Sequence, residues 1–306
     1  MKRFVIKVVF AAGLFFLLDV VLVVGRIVAS QDAFEEAFDV PKETKVIFVG
    51  NSHTGCTFAE APEFRNRVLW KSSTGFPSHY ARFLELERRG ALDFGVKAVV
   101  MDCDGPALRC CSFEGMIFDM KRIYPLSLRY LSVYPMSKIV LVSEVLLSMN
   151  QVLGVCDMPL GETVDWETRV RGWTREELVF HLKEGRDFVD LHEQGVDWAR
   201  DYPCGWRQEL EKMALDIKAR CDRRGVRFIL FASPLSRQSS WRTHPVRWKM
   251  VSDVVERLKS AGLEYHDYRT VCTDEKFRDS NHLLPSSSYV FTKKFYEEVL
   301  HMPVGE

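Results

Sequence analysis

Val46-Ile47-Phe48-Val49-Gly50-Asn51-Ser52-His53 is an apolar run that breaks into a polar turn. Consecutive apolar residues, three of them β-branched and none alternating with a polar one, describe a strand over residues 45–49 that is buried on both faces. That is the habit of a parallel sheet covered by helices. A serine placed directly after such a strand stands at the carboxyl edge of the sheet, where open α/β folds bind ligands. A serine hydroxyl holds its proton too tightly to attack at neutral pH unless an imidazole takes the proton and a carboxylate orients the imidazole. Near the other end of the chain, Asp279-Ser280-Asn281-His282 supplies both groups. Ser52, His282 and Asp279 are therefore the candidate nucleophile, base and orienter.

Outward from that strand, helical and strand periodicities alternate. Residues 54–76 read as a loop. Tyr80, Phe83 and Leu84 lie at helical spacing over 77–89, with Gly90 as a stop. A second buried strand over 96–101 ends at Asp102-Cys103-Asp104-Gly105-Pro106. Residues 139–147 fit a strand or a buried helix equally. Residues 150–206, rich in charge and aromatics, read as a helical insertion with Pro203-Cys204-Gly205 as a break. Alternation then resumes. Leu210, Met213, Ala214, Ile217 and Cys221 mark a helix ending at Gly225, and a strand follows over 227–232. Val251, Val254, Val255, Leu258 and Ala261 mark a helix ending at Gly262, followed by a strand over 263–268. A last helix spans about 287–300. Right-handed crossovers stack such units into one sheet, so the expected architecture is a three-layer α/β/α sandwich with a mainly parallel central sheet over residues 45–306.

The 306 residues are 47% hydrophobic, enough for one sizeable core, and 42 basic residues balance 42 acidic ones. That balance gives no global field for nucleic acid. The first thirty residues stand apart. Met1-Lys2-Arg3 and Lys7 precede an apolar run over 8–24 interrupted only by Asp19. The run exceeds the usual apolar core of a signal peptide, so residues 1–30 read as a transmembrane signal anchor. A signal peptide cut near Val28-Ala29-Ser30 is the other reading. The basic end stays cytoplasmic, which places the domain outside the cytoplasm, at the cell surface or in a periplasm, behind a polar linker over 31–44. The eight cysteines show no Cys-x-x-Cys spacing that would suggest zinc, and their pairing is not legible. No metal or cofactor is called for. His53, Asp279 and His282 as a metal set is the lesser reading.

Serine after the first strand, with Asp and His in one turn before the last helix, resembles the SGNH (GDSL-like) hydrolase superfamily, whose sheet is flavodoxin-like. Its first block, Gly-Asp-Ser, is here Gly50-Asn51-Ser52, and its fifth, Asp-x-x-His, is here Asp279 to His282. The tail Phe277-Arg278-Asp279-Ser280-Asn281-His282-Leu283, then Pro285 and Phe291-Thr292, is similar to the family's closing pattern, and His53-Thr54 is similar to its membrane-anchored bacterial members. The resemblance implies Ser52, His282 and Asp279 as a triad. It makes the Ser52 amide one oxyanion donor and Gly75 a second, with Asn51, His53 and Asp102 beside the site. The family's third block, Gly-x-Asn-Asp, is absent, and the corresponding stretch reads Asp102-Cys103-Asp104-Gly105. Loss of one oxyanion donor costs on the order of 100- to 1000-fold in rate. Ser287-Ser288, in place of Gly-Ala, are read as capping the last helix.

The implied activity is that of a membrane-anchored esterase or O-acyltransferase acting on an acyl, here acetyl, ester of a surface glycan or a small ester. A membrane-bound O-acyltransferase is the implied partner. A catalytically weak module that binds a glycan or a protein partner is the alternative.

Overall fold

The computed structural model describes residues 38–70, 74–105, 107, 126–130, 132 and 204–305, together with Phe10, Gly13, Leu14, Leu17 and Val21. The expected insertion up to residue 203, residues 139–147, and Cys110, Cys111 and Cys156 lie outside the described residues. The chain divides into two units, Met1–Asp39 with Met136–Gly172, and Val40–Pro135 with Trp173–Glu306. In the first, the five scattered residues are helical, and Phe10, Leu14, Leu17 and Val21 are well exposed. Among the described residues no helix is long and apolar enough to cross a membrane.

The second unit contains an α/β fold. In chain order it runs β1 (Val46–Gly50), α1 (Ser52–Thr57), β2 (Asn66–Trp70), α2 (Phe76–Arg88), β3 (Ala98–Asp102) and α3 (Leu126–Arg129). It continues with α4 (Cys204–Asp222), β4 (Arg227–Ala232), α5 (Ser240–Thr243), α6 (Pro245–Ser260), β5 (Glu264–Asp267) and α7 (Pro285–Phe295). The five strands are all parallel in the order β2-β1-β3-β4-β5. The order reverses direction between β1 and β3, which opens a crevice at their carboxyl ends. Ser52 leaves β1 at that place.

The three inner strands, β1, β3 and β4, are buried because both of their side-chain parities have cover. Val46 and Phe48 align with Ala98 and Val100 and, through β3, with Ile229. These residues share one core with Phe58, Phe231, Phe277, Leu283, Phe291 and Phe295. The opposite parity, Ile47, Val49, Val99, Met101 and Leu230, is fully buried too. Helix α2 packs on β1 and β3, and α4 packs on β4 and α2. Phe58, which ends α1, stacks on Phe48 at 3.9 Å between ring centres and meets Phe231 and Phe295 edge-on. Removing such a ring from a core costs about 3–5 kcal/mol, so the short helix carrying Ser52 is anchored at its far end.

Several sequence expectations shift. The loop read over 54–76 contains α1 and the edge strand β2, whose Asn-Arg-Val-Leu-Trp sequence hides its period behind mixed polarity. The expected break at 203–205 is the opening of α4, which begins at Cys204. The last helix begins at Pro285 with Leu284 as its N-cap and no side-chain cap, so Ser287 and Ser288 do not cap it. Instead the Ser288 carbonyl accepts a bond from the Thr292 hydroxyl inside the helix. Gly90, Gly225 and Gly262 do end their helices, each with positive φ.

Candidate functional site

Gly50 closes β1 and has no room for a side chain. A Cβ there would fall 1.7 Å from Thr54 Oγ1 and 2.8 Å from Asp102 Cβ. The chain then turns through Asn51, the N-cap of α1, whose Oδ1 accepts the His53 amide N–H at 2.8 Å. Ser52 is therefore the first residue of the helix rather than its cap. Its hydroxyl stays available.

That hydroxyl meets His282. Ser52 Oγ lies 3.0 Å from His282 Nε2, and His282 Nδ1 lies 2.8 Å from Asp279 Oδ2 and 3.0 Å from Oδ1. The Asp-x-x-His spacing works because Asp279 folds the turn that presents the histidine. Its Oδ1 accepts the amide N–H groups of Asn281 and His282, both at 2.8 Å. The turn is closed by the antiparallel bridge between Phe277 and Leu283, two core residues, and by the Arg278 N–H donating to His282 O at 2.9 Å. From the loop after β4, the Ser239 hydroxyl donates to Asn281 Oδ1 and the Ser236 N–H to Ser280 O.

The electrostatics match the geometry. Burial draws the His282 pKa below the usual imidazole value; Asp279 opposes that pull, and the neighbouring His53 adds to it. The ring is thus neutral at pH 7, with Nδ1–H given to Asp279 and the Nε2 lone pair facing the serine O–H. Burial pushes the Asp279 pKa upward, but His282 and the backbone amides outweigh it and hold the carboxyl well below the usual range. Arg278 ties this turn to α1, since Nη2 donates to Cys56 Sγ at 3.1 Å and Nε stands 3.7 Å from Asp279 Oδ2. Burial raises the Cys56 thiol to about 11, so it stays protonated at neutral pH. Cys56, Cys103, Cys221 and Cys272 are all free.

A second histidine–carboxylate pair stands beside the first. His53 Nδ1 lies 2.8 Å from Asp104 Oδ2, both side chains being almost fully buried. The His53 and His282 rings meet edge to face, 5.2 Å apart and 87° inclined. Sequence reasoning reads Asp104 as a strand-end residue; the structure makes it the partner of His53. Their separation of 51 residues left no local signal. Asp102, expected beside the site, does not contact Ser52. Its Oδ2 accepts from Thr54 Oγ1 at 3.3 Å and its Oδ1 from the Asp104 N–H at 3.1 Å. Burial, then the neighbouring Asp104, raises its pKa far above the carboxylate range.

Gly75, the other expected oxyanion residue, is the N-cap of α2. It is tethered to β1 through its neighbour Thr74. The buried Arg82 guanidinium donates to Gly50 O at 2.8 Å, to Leu69 O at 3.1 Å and to Thr74 Oγ1 at 2.6 Å. Burial keeps His79 neutral, and its Nδ1 lies 3.2 Å from Asp102 O. Nothing in the sequence singled out Arg82, which reads there as one more helical cation. Among the described residues no three His, Cys, Asp or Glu side chains group as metal ligands. No protein-family model matches the chain, and no curated protein sequence matches it.

Proposed function

We propose that this chain is a serine esterase or O-acyltransferase of the SGNH (GDSL-like) type, built as a three-layer α/β/α sandwich and held by an N-terminal membrane helix outside the cytoplasm. The supporting observation is the line Ser52 Oγ, His282 Nε2, His282 Nδ1, Asp279 at the carboxyl end of β1. In this reading Ser52 Oγ attacks the ester carbonyl carbon while His282 Nε2 takes its proton. The carbon–oxygen bond to the alcohol breaks, and the alcohol leaves with that proton. Water or a sugar hydroxyl then attacks the acyl-serine, giving its proton to His282, which returns it to Ser52 Oγ as the acyl bond breaks. The amides of Ser52 and Gly75 would receive the oxyanion. The acetyl ester of a surface glycan is the proposed substrate, with a membrane-bound O-acyltransferase as partner. The exposed apolar residues Phe10, Leu14, Leu17 and Val21 at helical spacing support the anchor.

One observation favours the alternative of a weakly active or inactive binding module. No asparagine follows β3, and Asp104 there is engaged by His53. Fluorophosphonate labelling separates the two readings. Wild-type protein should label at Ser52 and turn over small acetyl esters, and Ser52→Ala should lose both. His282→Ala should fall nearly as far, since the groups act as a unit. A folded wild type that neither labels nor exceeds the Ser52→Ala control makes the chain a binding module.

A further inference from the structure

Acyl transfer through Ser52 uses one imidazole, yet two face each other here. Both are fixed in the same way, with Nδ1 against a carboxyl group, Asp279 for His282 and Asp104 for His53. His282 Nε2 is taken by Ser52. His53 Nε2 has no partner among the described residues, and it is not among the buried polar atoms sealed from solvent. Nε2 is therefore the open end of an otherwise buried side chain. Holding a ring by its inner nitrogen while leaving the outer one unused has no structural return, because an apolar residue would fill the same space without needing the buried Asp104.

Resting on the catalytic reading above, we infer that His53, braced by Asp104, is a positioning residue for the acyl acceptor and selects acceptors carrying two hydroxyls on neighbouring carbons. With ring centres 5.2 Å apart, one hydroxyl of a vicinal diol lies against His282 Nε2 in the place of attack while its neighbour bonds His53 Nε2. A hydroxyl both donates and accepts, so it suits Nε2 whichever way the ring proton stands. A mono-alcohol or water makes only the first contact. The acceptor class is then a polyol such as a sugar ring with adjacent free hydroxyls.

Partitioning of the acetyl group tests this, using the full chain, p-nitrophenyl acetate as donor, and 1,2-propanediol or 1-propanol as acceptor at equal concentration. One added hydrogen bond predicts transfer to the diol about fivefold above transfer to 1-propanol. His53→Phe, which keeps a flat ring but no hydrogen-bonding nitrogen, should bring the ratio near one. His53→Phe combined with Asp104→Leu, which removes both partners and leaves no orphaned carboxyl, should do the same. Because the ratio compares two acceptors on one enzyme, a general loss of rate cancels. Fluorophosphonate labelling of Ser52 in each variant reports that the nucleophile is still formed. A wild type that labels but shows no diol preference, or a preference that survives both variants, overturns the acceptor role alone. A wild type that neither labels nor releases p-nitrophenol removes the catalytic reading and this inference with it.

Discussion

The proposed acyl transfer through Ser52, His282 and Asp279 requires the imidazole to enter the cycle without its second proton. Burial lowers the His282 pKa and Asp279 partly restores it. Turnover of a small acetyl ester should therefore rise with pH through an inflection below about 6.5, the free imidazole value, and be level across neutrality. Asp279→Asn removes the charge that favours the imidazolium, so the inflection should move to still lower pH. The plateau should fall on the order of 10³- to 10⁴-fold, because the ring is no longer held in the productive tautomer. Profiles of kcat/KM against pH for both proteins check this. An inflection that moves upward in Asp279→Asn would mean that Asp279 does not face the reacting imidazole. Ser52→Ala gives a different signature, loss of the plateau with no inflection left to read.

At the scale of elements, the end of β1 that carries Ser52 is held against β2 and the loop before α2. Arg82, reaching back from α2, is the common tie, because one guanidinium serves Gly50 O, Leu69 O and Thr74 Oγ1. Arg82→Met leaves these three buried acceptors without that donor, at about 1–3 kcal/mol each. Urea unfolding should show a loss of about 3 kcal/mol or more, and ester turnover should fall further than the folded fraction explains. Arg82→Lys keeps the charge but not the fork and should recover only part of both; full recovery would mean that charge alone is at work. None of this tie is legible in the chain order, since its groups lie on β1, β2 and the loop before α2 and meet only after folding. The same holds for His53 and Asp104, which become neighbours because β1 pairs with β3. By contrast, Ser52 was legible from the apolar run before it, and Asp279 with His282 from a four-residue spacing that one turn can close. Strand β4 was legible to its ends, because Arg227 to Ala232 is uniformly apolar after its first residue. Strand β2, at the edge, was not, because its half-buried positions admit Arg67 beside Val68 and break the apolar run.

For the molecule as a whole, the proposed anchor makes a prediction about which side of a membrane the site faces, and the charge pattern sets its sign. Residues 8–24 contain thirteen Val, Leu or Phe, worth about −4 to −8 kcal/mol of insertion free energy against about +3 for Asp19 near the centre. The sum supports the proposed anchor despite the acid. Lys2, Arg3 and Lys7 precede the run, against Arg26 as the single cation from Gly25 to Glu36 after it, so the bias in Lys and Arg predicts a cytoplasmic amino terminus. In the proposed orientation everything from β1 to α7 faces outward, where the proposed substrate, an acylated surface glycan, would be within reach. A reporter active only outside the cytoplasm, fused after Glu306, should therefore be active, and the protein should stay with membranes through carbonate extraction. Replacing Lys2, Arg3 and Lys7 with glutamine should lower the reporter signal by weakening that retention. A reporter active only in the cytoplasm refutes the orientation, and release of soluble protein beginning near Gln31 shows a cleaved leader in place of an anchor.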